Sequence, residues 1–208
     1  MRTLKKSILS RSSHGVKGFE AQRRELIEKW LKEYNIQNYT INDDFTIDVN
    51  GDVNLFNMRL KEFPEYIQFG AVKGYFDCRF NQLTTLRGVP RIVKDSFDCS
   101  GNKLTSLEGA PKEIGRDFYC MYCNLISLKG ALEKIRGSFD CSGNKLTSLK
   151  GAPKKVGELF DCSNNQLTTL EGAPKEVSWS FNCKNNYIKF TEDDVKVVCN
   201  VIGKGIFV

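Results

Sequence analysis

The apolar positions in the middle of this chain recur every 21 residues. Cys78, Cys99, Cys120, Cys141, Cys162 and Cys183 keep that spacing without a slip, each preceded two positions earlier by Phe76, Phe97, Phe118, Phe139, Phe160 or Phe181. Five positions after each cysteine stands Leu83, Leu104, Leu125, Leu146, Leu167 or Ile188, and in the first five units Leu86, Leu107, Leu128, Leu149 or Leu170 follows. A last apolar position is filled by Val93, Ile114, Ile135, Val156 and Val177. Between the cysteine and the first leucine is a polar position, Asn81, Asn102, Asn144, Asn165 or Asn186, with Cys123 in its place once. A unit this short cannot bury its own apolar face, so the units must stack into a solenoid.

Phe and Cys alternate at period two, which predicts a short strand with one face inward. The asparagine ends that strand, where short polar side chains bond backbone groups along a stack. The Gly-Ala-Pro that follows the second leucine cannot hold a regular helix and predicts extended or polyproline-like backbone on the opposite side.

The ends depart from the period. From Phe19 to Tyr34, Leu26, Ile27, Trp30, Leu31 and Tyr34 stand at helical spacing with charges opposite, predicting an amphipathic helix. Between Ile41 and Leu55, Phe45, Ile47 and Val49 and then Val53 and Leu55 bracket Asn50-Gly51, the favoured turn of a β-hairpin. Leu60 and Phe63, before Pro64, read as the leucine pair of a degenerate first repeat. At the far end Thr191 suits a helix N-cap with Glu192, Asp193 and Asp194 in the first turn. Val195, Val198, Cys199 and Ile202 would supply that helix's buried stripe and Gly203 its end. The expected division is a flexible basic tail over 1–18, an N-terminal cap of helix and hairpin over 19–55, repeats over 56–190 and a C-terminal helical cap over 191–208. Solenoids need such ends to cover their terminal core. An arm that orders on a partner is the other reading of the tail.

The chain has 208 residues and a net charge of +6. No apolar run approaches the roughly 20 residues of a membrane span. The first residues lack the apolar stretch of a secretory signal, so a cytoplasmic protein is expected. Eight cysteines would suit a disulfide scaffold, but six on one inward ladder predict packed, reduced thiols. Cys120 and Cys123 form a C-x-x-C that alone would suit a redox pair or half a zinc site. Cys120, however, belongs to the ladder, Cys123 fills an asparagine position, and no second pair follows at ligand spacing. No metal or cofactor is expected. The only histidine, His14, lies in the tail and no phosphate-binding glycine loop is present, so the chain reads as no enzyme.

The unit F-D-C-S-x-N-x-L-T-x-L-x-G-A-P-K-x-(I/V) resembles the leucine-rich repeat, L-x-L-x-x-N-x-L, with Phe and Cys in the first two apolar positions. The resemblance runs over roughly residues 53 to 190. It implies a leucine-rich-repeat solenoid whose short parallel strands line a concave face. Segments such as SFDCSGNKLTSLEGAPKEIG and LFDCSNNQLTTLEGAP, preceded by NYTINDDFTIDVNGDVNL, are similar to small leucine-rich-repeat proteins of tailed bacteriophages. This implies a phage factor acting in the bacterial host cytoplasm.

If Phe and Cys point inward, their neighbours point out. Asp77, Asp98, Tyr119, Asp140 and Asp161 form an outward, mostly acidic row. The Cys120 unit departs from the common Asp-Ser-Gly surface with Tyr119, Met121, Tyr122 and Asp117, and the Cys78 unit with Tyr75, Arg79 and Phe80. Tyr, Met and Arg are enriched at protein interfaces, where a few anchors dominate binding. These residues are the expected contact patch for a protein partner, a bacterial host protein engaged or inhibited by the chain. Stacking of the aromatics across neighbouring strands is the purely structural alternative. Arg91, Lys94, Lys112, Arg116, Lys134, Arg136, Lys154 and Lys155 would align on one edge and suit nucleic acid, although Glu113, Glu133, Glu158 and Glu176 interleave with them. A structural part of a virion is a third class.

Overall fold

The computed structural model describes residues 13–208, with side chains from Gly18 onward. The tail reading for 1–12 and the His14 side chain lie outside the described residues. The chain forms a parallel β-solenoid in which each coil gives one short strand to a front sheet and one to a back sheet.

The front sheet has eight strands, all parallel: Val53–Asn54, Phe76–Asp77, Phe97–Asp98, Phe118–Tyr119, Phe139–Asp140, Leu159–Asp161, Ser180–Asn182 and Gly205–Phe207. Phe pairs with Phe in every register from Phe76 to Phe181, so the rings form one buried column with centroids 5.1 to 5.9 Å apart. Offset and edge contacts of this kind add to the area that the rings bury. Beside them run the thiols. All eight cysteines are free and buried, and the Cys78, Cys99, Cys120, Cys141 and Cys162 thiols each donate to a front-strand carbonyl of the next coil at 3.3 to 3.5 Å. Burial pushes the pKa of these five thiols well above the ordinary value.

Strands of two or three residues need help at their ends, and the asparagines supply it. Asn144 Nδ2 donates to the Cys120 and Cys141 carbonyls at 2.9 Å and to Ser142 O at 3.2 Å, while its Oδ1 accepts the Leu125 N–H at 3.1 Å. Asn81, Asn102, Asn165 and Asn186 repeat this pattern. Each therefore bonds its own coil to the one before.

The back is built of further short strands, parallel to one another from Ile47 onward, rather than the polyproline-like run expected from Gly-Ala-Pro. The glycine of that segment takes a left-handed backbone, φ 86 to 102° in the five regular units, and turns the chain into a two-residue strand that buries Val93, Ile114, Ile135, Val156 or Val177. Five strands, Tyr39–Ile41, Ile47–Val49, Phe69–Val72, Ile92–Val93 and Glu113–Ile114, form one part of the back. Four more, Lys134–Ile135, Lys155–Val156, Glu176–Val177 and Asn200–Val201, form the other. The break falls in the coil where Leu132 replaces the proline.

Three expectations about the ends are corrected. Helix α1 spans Ser13–Glu33, starting before Phe19, and it buries Ile27, Trp30 and Leu31 while leaving Phe19 and Leu26 exposed. Trp30 packs on Phe63 and Phe69 of the first coil. The hairpin lies earlier than predicted: Tyr39–Ile41 pairs antiparallel with Ile47–Val49 around a turn closed by Asn42 and Thr46. Asn50-Gly51 instead forms the corner between the two sheets, because Val49 continues the back through Val72 and Val53 starts the front on Phe76. Helix α2, Glu192–Val198, has the predicted Thr191 cap, with Thr191 and Asp194 each bonding the other's backbone N–H. It ends at Val198, however, leaving Ile202 exposed, and the chain then adds a strand to each sheet. The solenoid thus runs to Phe207, past the expected boundary at 190. Among the described residues no helix is long and apolar enough to cross a membrane.

Candidate functional site

On the front sheet the positions just before and just after each cysteine share the outer face. The aspartates there are turn-formers first: Asp77, Asp98, Asp140 and Asp161 each accept, through Oδ1, the N–H two residues on, at 2.8 to 2.9 Å. Such local bonds are what Asp does at turns, and they explain why the residue is copied from coil to coil.

The outer oxygens then differ along the row. Asp77 and Asp98 are buried beneath Arg79 and Tyr75. The Arg79 guanidinium forks onto Asp77 at 2.7 to 3.1 Å, reaches Asp98 at 3.5 Å and lies over the Phe56 ring at 5.3 Å. Tyr75 OH donates to Asp98 Oδ2 at 3.1 Å. Burial and the Asp98 charge hold the Tyr75 phenol far above its ordinary pKa, and hydrogen bonding to Asp77 raises that of Arg79. Farther along, Asp117 accepts the Ser96 hydroxyl and the Ser138 N–H. Burial and the Asp117 carboxylate push the neighbouring Tyr119 phenol up to about 12. Asp161 Oδ2 accepts the Asn182 amide at 2.7 Å. Burial raises Asp140 to about 6, with the charges of Asp161 and Asp98 adding to it.

The next position is a corner with left-handed backbone in every coil: Phe80 (φ 53), Gly101 (67), Tyr122 (49), Gly143 (67), Asn164 (54) and Asn185 (56). Large and small residues alternate over the first four of these positions. The Phe80 ring lies over Gly101 and the Tyr122 ring over Gly143, where an added methyl would collide with it. Both rings remain open to solvent, Phe80 at 53% and Tyr122 at 64%. The structure thus bonds Tyr75, Asp77, Arg79 and Asp98 into one group with Phe80 next in the chain, and places Asp117, Tyr119, Met121 and Tyr122 on one later coil, with Asp140 and Asp161 on the coils that follow. The pattern reading missed Phe56, exposed at 42% and edge-on to Phe80 at 5.6 Å. Aligning Val53 and Leu55 with Phe76 and Cys78 would have placed Phe56 in the position of Arg79.

Half of the basic edge is paired across coils, Lys94 with Glu113, Arg116 with Asp95, Lys154 with Glu133 and Lys155 with Glu176, and Lys129 with Glu108 and Lys150 with Glu171 pair in the same way beside it. Such exposed pairs contribute little stability, but they interleave the two signs. The C-x-x-C thiols are both buried, and burial raises Cys123 to about 11. Comparison with protein-family models, curated proteins and solved structures finds no match to this chain.

Asp140 gives a pH prediction. Its folded pKa of about 6 exceeds the ordinary 3.8, so between those values the folded state holds a proton that the unfolded chain has lost. Its contribution is therefore full below pH 4 and is lost as pH rises through 6, by on the order of 1–3 kcal/mol. Chemical denaturation of Asp140→Asn against the parent chain should show a stability difference that grows in favour of the variant across that window. A difference independent of pH would refute the assignment.

Proposed function

We propose that this chain is a leucine-rich-repeat binding module that docks a partner protein on its front face, read as the concave one, with α1 and the hairpin capping one end and the α2 coil the other. The observation that carries this reading is the pair Phe80 and Tyr122, exposed aromatics in left-handed backbone at a corner where other coils use Gly or Asn. That conformation costs a residue with a Cβ about 1–2 kcal/mol, and such strain clusters at functional sites. The surrounding Tyr119, Met121, Tyr75 and Arg79 are residue types that anchor interfaces. The carboxylates that pair with half of the basic edge favour a protein over a nucleic acid, since phosphate tracking needs an excess of positive charge. On the likeness of its repeats to phage-encoded proteins, the partner is a bacterial host protein engaged or inhibited in the host cytoplasm.

The test is Tyr119→Ala combined with Tyr122→Gly, measured against a partner captured from bacterial lysate by the parent chain. Two lost anchors should weaken the affinity at least about 30-fold; Tyr122→Gly leaves thermal unfolding level because glycine already serves this corner at Gly101 and Gly143, and Tyr119→Ala lowers it modestly because that ring is half-buried in its strand. Undiminished capture would reject the face.

A further inference from the structure

We propose that the front face holds a receptor for an arginine side chain of the partner, seated over Ser142 between Asp140 and Asp161. The proposal rests on the front face being the docking surface, and the chain supplies its own template. Arg79 follows Cys78 directly and is held between the aspartate of its own strand, Asp77, and that of the next, Asp98. Three coils on, Ser142 follows Cys141 in the same way, between Asp140 of its own strand and Asp161 of the next. The first carboxylate in each pair bonds the following backbone N–H through one oxygen, Asp77 to Arg79 and Asp140 to Ser142, both at 2.9 Å. The second is steadied by a neutral donor, Asp98 by the Tyr75 hydroxyl and Asp161 by the Asn182 amide. What differs is the middle: a short serine replaces the arginine.

Among the described residues no lysine or arginine pairs with Asp140 or Asp161. Burial, with the charges of Asp161 and Asp98, raises the pKa of Asp140. Where Phe56 carries the Arg79 guanidinium, Met121 holds the corresponding place, with Tyr119 two residues before it and Tyr122 next. A guanidinium suits this arrangement better than an ammonium, because its planar fork spans two carboxylates and stacks on flat or polarisable side chains.

The experiment titrates isotope-labelled protein with N-acetyl-arginine amide, N-acetyl-lysine amide and calcium chloride, following backbone amides and Asp side-chain carbons by NMR. The arginine compound should give saturable shifts confined to Asp140, Ser142, Asp161 and Ser163, and should bind more tightly than its lysine counterpart. Asp140→Asn should weaken it roughly tenfold, the worth of one charge-assisted hydrogen bond. That variant keeps the turn, as Asn182 does by accepting the Lys184 N–H at 3.2 Å. Ser142→Arg should supply the cation internally, lower the Asp140 titration midpoint and abolish binding of the added arginine compound. Shifts that do not saturate, equal affinity for the lysine compound, or tighter binding of calcium at the same residues would each overturn the proposal. If the arginine compound does not bind but partner capture still depends on Tyr122, the receptor fails and the docking face stands. If it binds as described while the Tyr119 and Tyr122 variant still captures the partner, the receptor stands and the docking reading fails.

Discussion

Replacing Asn144 by alanine is expected to lower the unfolding free energy by about 2–5 kcal/mol, because it strands two buried backbone groups at about 1–3 kcal/mol each. The Cys120 carbonyl loses its donor at 2.9 Å and the Leu125 N–H loses its acceptor at 3.1 Å, both inside the stack, while the Cys141 carbonyl keeps the Asn165 amide at 3.0 Å. Alanine brings no polar atom to replace the amide. The chain contains the reverse experiment at Cys123. There a thiol occupies the asparagine position, donates to the Cys99 carbonyl at 3.4 Å and offers the Leu104 N–H only a sulfur. Cys123→Asn should restore the amide bridge and raise stability by about 1–2 kcal/mol. Urea titration of both variants decides the matter. A loss under about 1 kcal/mol at Asn144, or destabilisation at Cys123, would mean that the amide ladder is not what joins the coils.

Phe139→Ala should cost about as much, roughly 3–5 kcal/mol, the usual penalty for emptying a large aromatic site in a core that cannot close over it. Phe139 is fully buried, edge-on to Phe118 at 5.3 Å and stacked on Phe160 at 5.9 Å. Its loss interrupts the ring column near its middle. In a solenoid each unit touches only its neighbours, so weakening one junction uncouples the two sides. Thermal unfolding should become broader, and hydrogen exchange should show the two flanks opening with different free energies. A single sharp transition near the parent midpoint would show that the column is not the coupling element.

What the pattern conveyed best was whatever repeats and is apolar. The Phe and Cys columns follow from alternation plus a constant period, since a slip in register would move every ring to the other face. The back sheet was hidden because each of its regular strands buries one residue, Val93 or Ile135 for example, beside an exposed neighbour such as Glu113 or Lys134. One apolar position carries no alternation to detect. Asn50-Gly51 misled because a sharp corner between sheets needs the same flexible pair as a hairpin. The last coil was missed since Ile206 stands in the place of phenylalanine, 25 residues after Phe181 rather than 21. At the candidate site, the outward row was visible but the labour of the aspartates was not. Their bonds to the backbone depend on a turn that composition does not spell out, and only coordinates show Arg79 lying across two of them.

The divided back sheet has a mechanical meaning. Along most of the stack, two ladders tie each coil to the next and resist bending like the two rails of a track. Between Ile114 and Ile135 one rail is cut while the other, through Phe118 and Phe139, runs on. Bending should therefore cost least at that joint, where the Gly137 N–H still bonds the Arg116 carbonyl at 3.0 Å, and the coil bearing Tyr119 and Tyr122 sits upon it.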